Sequence, residues 1–361
     1  MCGMISLKTL KQTRDPNNFN YFNKWVLDFF KRETLREKGQ INEYEYSEDF
    51  GPAMRQEVSY WNPNRSKHAE VYWLENFVFN QDTSMRNKIL NAMAVKFVGM
   101  PTLTLVASDS TDYSKIIDFD EYKLKKDYYH WINNNLNTNK NKMKVWGATQ
   151  LQTSLQTSAR NFCREEDEDP NEKFALSHMI RWMAHLDDLG MSNVVQDKNN
   201  KLGNVCDWFS THRGIGPYFS YHPPCNFSRC NDLPNIDEDD NYCLVGPGAK
   251  RGLEYVFPEV KFKNNEIMEA YIIAVRDHQH EFFEMDNTSA AFYKENLERN
   301  GNLTTFGTEI TFCQFNCFLG IKDNSKAQTK RMLPLTFDSF VDIAENLKKK
   351  LEPSPLESFM V

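Results

Sequence analysis

The chain has 361 residues, of which 40% are hydrophobic and 13% aromatic, so it can bury a large core as one elaborate domain or two packed lobes. Its net charge of −7 excludes a general nucleic-acid coat, because non-specific DNA affinity comes mainly from Lys and Arg that neutralise phosphates. The apolar runs, such as Leu103–Ala107, fall far short of the roughly 20 residues that a membrane span needs. We therefore expect a globular protein with no membrane span.

The N-terminus lacks the basic-then-apolar pattern of a secretory signal. The eight cysteines are then expected to meet a reducing compartment and to remain mostly thiols. An intracellular protein, cytoplasmic or nuclear, follows from this expectation.

Apolar residues at helical spacing predict the first elements. Phe19, Phe22, Val26 and Phe29 predict an opening helix that extends to Lys38. Helix resumes near Ala69, and a further helix runs from Leu151 to Phe162. That helix stops at an acidic, proline-containing segment, so we place the boundary between two lobes near residues 164–172.

The sequence of the second half predicts helices joined by frequent turns. A helix is predicted over Phe174–Leu189, and the Gly, Pro, Cys and Asn content of residues 207–252 predicts short helices between turns. A helical stripe covers Leu303–Leu319, and Phe337–Leu351 forms a closing helix. The fold is predicted to be mainly α with few short strands. Its parts are an N-terminal segment (1–18), a main helical domain (19–335) and a C-terminal helix and tail (336–361).

Gly214, Ile215, Gly216 and Pro217 predict a tight turn that opens a helix. Amides at a helix start bind phosphate, because they lack intrahelical acceptors and lie at the positive end of the helix dipole. A helix-hairpin-helix DNA contact uses such a turn. Gly214 and Gly216 are therefore candidate phosphate-binding residues, and an ordinary structural turn is the alternative.

Residues 246–252 form a second glycine-rich segment, interpreted as a loop. Gly246, Gly248 and Gly252 permit close backbone approach to a ligand, and Lys250 and Arg251 add positive charge at the same point. The spacing does not match a Walker A loop, so the chain is not a P-loop kinase by itself. We expect the two glycine-rich segments to converge on a nucleotide phosphate, and a purely structural loop is the alternative.

The sequence gives weaker support to a metal site and to a serine nucleophile. His222, Cys225 and Cys230 could form a zinc site, but they lack a paired Cys-x-x-Cys knuckle, so we expect no metal and no cofactor. No serine lies in a Gly-x-Ser-x-Gly elbow. His278 and His280 are interpreted as part of a surface loop or strand.

Taken in order, several segments resemble the alpha-glutamyl/putrescinyl thymine pyrophosphorylase family, which includes the helical domain of phage 5-hydroxymethyluracil DNA kinases and amino acid:DNA transferases. The resemblance spans roughly residues 19–320, and the 246–252 segment is its most specific part. The other segments are the opening helix, Glu75–Asp82, Phe97–Leu103, Val145–Ala148, Gly216–Tyr221 and Glu309–Cys313.

The resemblance implies a DNA-glycosylase-like, helix-hairpin-helix fold and a DNA-base hypermodification. An amine or amino acid would displace phosphate from an activated 5-hydroxymethyl pyrimidine in DNA. A separate base-kinase or oxygenase is a possible further partner. The residues given roles are the phosphate-binding set Gly214, Gly216, Gly246, Gly248, Lys250 and Arg251, the acid–base candidates Asp82, Asp240 and Glu309, and the base-stacking candidates Tyr218, Tyr221 and Trp146.

The chain departs from the family pattern at several charged positions. Asn80 replaces a common Arg, Asn226 replaces an Asp, and Gln314 and Cys317 replace a Glu and a Lys. These losses favour a different substrate, or a non-catalytic DNA-binding subunit of a nucleoprotein complex. A glycosylase that acts on modified bases, with Asp239 or Asp240 as its carboxylate, is a third hypothesis.

Overall fold

A computed structural model describes residues 5–40, 69–97, 176–297 and 301–322, with short pieces at 45, 50, 64, 116–119, 341–342 and 345–346. Over these ranges the fold is mainly α, as predicted, and no strand occurs in them. No helix in the same ranges is both long and apolar enough to cross a membrane. The helices are α1 Leu7–Thr13, α2 Pro16–Glu37, α3 Ala69–Trp73, α4 Met85–Phe97, α5 Leu176–Asp188, α6 Met191–Gln196, α7 Leu202–Ser210, α8 Pro217–Asn226, α9 Pro247–Val256, α10 Asn265–Asp277, α11 Gln279–Phe282, α12 Asn287–Asn296 and α13 Thr305–Lys322.

Four predicted helices are confirmed within a few residues. They are the opening helix α2, the helix that resumes at Ala69, α5 and α13. The predicted helix over 151–162 lies outside the described residues, and so does nearly all of the predicted closing helix.

The chain divides into two compact units. The first combines Met1–Lys67 with Glu238–Met332, and the second combines His68–Asp237 with Leu333–Val361. The lobe boundary predicted near 164–172 lies outside the described residues, so the predicted domain limits stay a prediction.

Aromatic side chains hold α2 against α13 in the first unit. The Asp15 carboxylate caps α2 by accepting the Asn17 and Asn18 amides, and Pro16 occupies the first helical position. Further along α2, Phe22 stacks on Phe312 with ring centroids 4.8 Å apart. Packed rings of this kind fix the position of α13 in the first unit.

Two glycines bring α9 into direct contact with α13. A Cβ at Gly252 would lie 2.3 Å from the Phe312 carbonyl oxygen, and a Cβ at Gly248 would lie 2.6 Å from Cys313 Sγ. Both distances are shorter than any carbon contact allows, so only glycine lets the two helices approach this closely. The contact places the start of α9 against the middle of α13.

Buried asparagines tie the second unit together. Asn91 donates to the Ile117 carbonyl and accepts its amide, and Asn226 on α8 donates to the Ala92 carbonyl on α4 at 3.1 Å. Because a carboxylate has no hydrogen to donate, an Asp in place of Asn226 would leave the Ala92 carbonyl without this bond. The departure from the family at Asn226 therefore has a structural role here.

We predict that Gly252→Ala destabilises the first unit by about 1–3 kcal/mol, because the added methyl group would push α9 away from the α13 backbone. Urea unfolding followed by tryptophan fluorescence measures the change. Gly216→Ala is the control, since a Cβ there meets nothing within 4 Å. Equal effects of the two variants would contradict the close-packing argument.

Candidate functional site

The start of α9 is the first part of the candidate site. Gly246 caps the helix in an extended conformation without a side-chain cap, and Pro247 occupies the first helical position. Residues 247–252 are therefore helical, and their interpretation as a loop was wrong. The close approach permitted by Gly248 and Gly252 is made to α13, and since Pro247 has no N–H, Gly248 provides the first amide within the helix.

Glu309 lies against this helix start. Its Oε1 accepts the Gly246 amide at 3.1 Å, and its side chain is buried, with the residue only 1% exposed. Its second oxygen, Oε2, is also buried and has no hydrogen-bond partner among the described residues. Burial raises the pKa of Glu309 to about 7, although the Gly246 amide opposes the rise. Near neutral pH, the carboxyl is therefore present in both protonated and ionised forms.

Two cysteines continue the Glu309 face of α13. Cys313 and Cys317 follow at intervals of four residues, and all six described cysteines are free. A hydrogen bond with the Cys317 side chain, together with burial, raises the pKa of Cys313 well above its usual value. Because the thiolate is the reactive form, Cys313 is a packing residue and not a nucleophile.

Two cations lie in the first turns of α9. Lys250 is partly exposed and forms a weak pair with Glu254 at 3.7 Å, and Arg251 is exposed. Their charges add to the positive end of the helix dipole. The start of α9 thus combines the Gly248 amide, two cations and the buried Glu309 carboxyl.

A polar cavity of about 470 Å³ forms the second part of the site. It is lined by residues from the segment before α9 and from α10, α11 and the start of α13, namely Asp239, Asp240, Asn241, Arg276, Asp277, Gln279, His280, Asn302 and Leu303. Three aspartates face one arginine, so the lining favours a cationic ligand. His280 belongs to a helix, and its interpretation as part of a loop or strand was wrong.

Arg276 organises the cavity wall. Its guanidinium donates to the Asp239 backbone oxygen at 2.6 Å, to Thr305 at 2.7 Å and to Asn241 at 2.6 Å. Asp239 in turn accepts the Thr305 amide at 2.9 Å, which caps α13. The Asp239 carboxylate is therefore occupied. Asp240 makes no hydrogen bond or ion pair in the described residues and stays available to a ligand.

Helix α13 connects the cavity to the start of α9. Thr305 contacts the cavity through Asp239, and Glu309 contacts Gly246. Four residues of helix rise about 6 Å, so the two contacts lie one turn apart on the same helix. Of the predicted residues, Asp240, Gly246, Gly248, Lys250, Arg251 and Glu309 thus lie in this one unit.

The other glycine turn belongs to the second unit. Gly214 has φ of +89°, Gly216 caps α8, and α7 and α8 pack together on either side of the turn. Tyr218 is partly exposed, and its ring stacks on His222 at 4.2 Å. Tyr221 is completely buried, so it has no exposed ring face on which a base could stack.

The remaining predicted residues stay predictions. Asp82 is exposed in the turn before α4 of the second unit. Trp146 lies outside the described residues. The convergence of the two glycine-rich segments also stays a prediction, since the segments belong to different units.

Metal binding was considered for His222, Cys225 and Cys230. Among the described residues, no three His, Cys, Asp or Glu side chains are grouped so that they could hold a metal ion. The geometry gives the zinc alternative no support.

The family model described as "5-hmdU DNA kinase, helical domain" matches residues 108–325. A relative, the 5-hmdU DNA kinase of Bacillus phage SP10, is 28% identical over 88 residues, which are 23% of this chain and 14% of that protein. The chain thus matches about one seventh of the length of this relative. No solved structure matches the chain.

The raised pKa of Glu309 predicts a pH-dependent stability. The pKa is about 7 in the folded chain against 4.5 for an unperturbed glutamate, so the folded state binds more protons between these pH values. The contribution is complete below pH 4.5 and is lost as the pH rises through 7. We expect Glu309→Gln to gain roughly 2–3 kcal/mol relative to the native chain between pH 5 and pH 8.

Denaturant midpoints across that pH range measure the difference. The exposed Glu266→Gln is the matched control, and it should follow the native profile. A Glu309→Gln profile parallel to the native one would show that Glu309 does not titrate as argued.

Proposed function

Because this chain belongs to the family of the 5-hmdU DNA kinase helical domain, we propose that it modifies 5-hydroxymethyluracil in DNA. The finer proposal is the transfer of an amine or amino acid onto a phosphate-activated 5-hydroxymethyl group. The observation that carries it is the pairing, along α13, of a helix start suited to phosphate with an acidic cavity suited to an amine.

The leaving phosphate is assigned to the start of α9. Gly248 supplies a helix-start amide and Lys250 and Arg251 supply cations, whereas the amide of the capping Gly246 donates to Glu309. Preorganised amides and charges stabilise the negative charge that develops on a leaving group. This part of the proposal requires neither a metal nor a bound nucleotide.

The amine is assigned to the cavity. Its ammonium form is attracted by the net negative charge of the lining, in which Arg276 pairs with both Asp239 and Asp277, and Asp240 accepts one proton to give the reactive amine. The amine nitrogen then attacks the methylene carbon on C5 of the base. The carbon–oxygen bond to phosphate breaks, and its electron pair leaves with the phosphate oxygen.

DNA contact is assigned in part to the turn between α7 and α8. A positive-φ glycine followed by a glycine-capped helix is the arrangement that helix-hairpin-helix motifs use to contact DNA phosphates. A target base must leave its stack, at a cost of a few kcal/mol, and Tyr218 is the candidate that supports it by stacking. Asp82 is kept as a further acid–base candidate, and Trp146 as a further stacking candidate.

The transferase proposal predicts amine-dependent product. DNA that contains 5-phosphomethyl-deoxyuridine is incubated with the protein and several primary amines, and its nucleosides are analysed by mass spectrometry. Asp240→Asn should lower the rate about 100-fold or more, because an amide cannot accept the proton. The exposed Glu259→Gln is the control. No product with any amine would leave the non-catalytic DNA-binding subunit as the better description.

The phosphate-binding assignment predicts a salt effect on DNA affinity. Lys250→Ala combined with Arg251→Ala should weaken binding and reduce the slope of log affinity against log salt by about 2, or about 1 for each lost phosphate contact. Fluorescence anisotropy at several salt concentrations measures the slope. Lys261→Ala with Lys263→Ala removes two exposed charges as the matched control. If both double variants change the slope equally, the contact is not specific to α9.

A glycosylase is the second candidate, because Asp240 is an available carboxylate in a cavity of about 470 Å³. A carboxylate beside a flipped nucleotide could support cleavage of the glycosidic bond. Release of free base from modified DNA without added amine distinguishes this reaction from transfer.

A further inference from the structure

The buried Glu309 carboxyl has one satisfied and one unsatisfied oxygen. Oε1 accepts the Gly246 amide, whereas Oε2 is buried and makes no hydrogen bond within the described residues. A buried polar oxygen without a partner costs about 1–3 kcal/mol, and an ionised one costs more. The group can lower this cost by taking up a proton on Oε2 or by meeting a ligand there.

The position of the carboxyl decides which ligand fits. It lies at the positive end of α9, where an anion would bind to the Gly248 amide and near Lys250 and Arg251. An ionised Glu309 would repel that anion. A protonated Glu309 is neutral, so this repulsion disappears, and it carries an O–H donor on Oε2 while Oε1 continues to accept the Gly246 amide.

We propose that the start of α9 is a proton-linked site for tetrahedral oxyanions, in which Glu309 binds the anion only in its protonated form. The inference rests on the proposed function, since it adds a proton donor to the site assigned to the leaving phosphate. Glu309 then hydrogen-bonds the departing phosphate, and Asp240 alone accepts the proton of the amine.

The surroundings of Glu309 agree with this role. On α13, Cys317 raises the pKa of Glu309 further, and Cys313 is protonated. On α10, Glu269 accepts the Cys243 amide and Arg276 is bound to Asp239 and Thr305. On α9, Lys250 and Arg251 remain near the helix start. On α2, the side chains that contact α13 include the aromatic Tyr21, Phe22 and Trp25.

The start of α9 is only partly shielded from solvent. Gly246 and Gly248 are half-buried, and Pro247 is exposed. Glycine has no side chain to block the approach of an oxyanion to the backbone. An anion at the Gly248 amide would lie two residues from Gly246, whose amide donates to the Glu309 carboxyl.

Inorganic sulfate is the probe, because its charge does not change over the pH range used, so any pH dependence arises in the protein. Sulfate affinity is measured by titration calorimetry from pH 5.5 to 8.5. We expect the affinity of the native chain to fall about tenfold per pH unit above pH 7, as one linked proton requires. Below that pH it should level off.

The Glu309→Gln variant tests whether Glu309 is the group that links anion binding to pH. Gln keeps an oxygen for the Gly246 amide and places an N–H donor where the protonated oxygen was. We expect its sulfate affinity to be independent of pH and, at pH 8.5, to equal that of the native chain at pH 5.5. The exposed Glu266→Gln should keep the native pH dependence.

A second measurement needs no variant. At pH 7.5, sulfate binding to the native chain should take up a proton, so the observed enthalpy should depend on the ionisation enthalpy of the buffer. An affinity that is flat with pH, a slope retained in Glu309→Gln, or the absence of sulfate binding would each overturn the proposal. Because sulfate binding requires neither DNA nor amine, a negative transfer assay with a positive result here would refute only the proposed function.

Discussion

The candidate site depends on one buried contact, the Glu309 carboxyl against the Gly246 amide at the start of α9. The contact exists because Gly248 and Gly252 let α9 approach the α13 backbone to a distance that no larger residue allows. Buried carboxyls are costly, so the chain retains Glu309 at the expense of stability at neutral pH. A group that destabilises the fold in this way is a candidate for function, because burial and a helix end are the usual means of tuning a carboxyl.

The same helix organises both halves of the site. Asp239 caps α13 through the Thr305 amide and is fixed by Arg276, so the segment that carries Asp240 is anchored at the first turn of α13. Glu309 lies one turn later. Aromatic packing from α2 holds α13 in place, which means that the phosphate end and the cavity end keep a fixed separation. Fixed separation is what a transfer reaction between two bound groups requires.

The sequence predicted the helices of this unit because their apolar spacing is regular, as in α2 and α13. It also singled out Gly246, Asp240 and Glu309. It missed Arg276, since an arginine within an amphipathic helix has no distinguishing local pattern and its role arises from Asp239 and Thr305, distant in sequence. The three glycines of residues 246–252 predict a loop because glycine disfavours helix, but packing against α13 outweighs that intrinsic preference.

The replacement of a charged family residue affects the electrostatics around Glu309. Cys317 lies on the Glu309 face of α13, and in the resemblance to the family it corresponds to a lysine. A lysine ammonium close to Glu309 would favour the ionised carboxylate, whereas the thiol raises the pKa of the carboxyl. The substitution therefore shifts Glu309 from a permanently charged partner towards a group that gains and loses a proton near neutral pH. On this argument, the divergence of the chain alters the charge state of its site and does not simply remove the site.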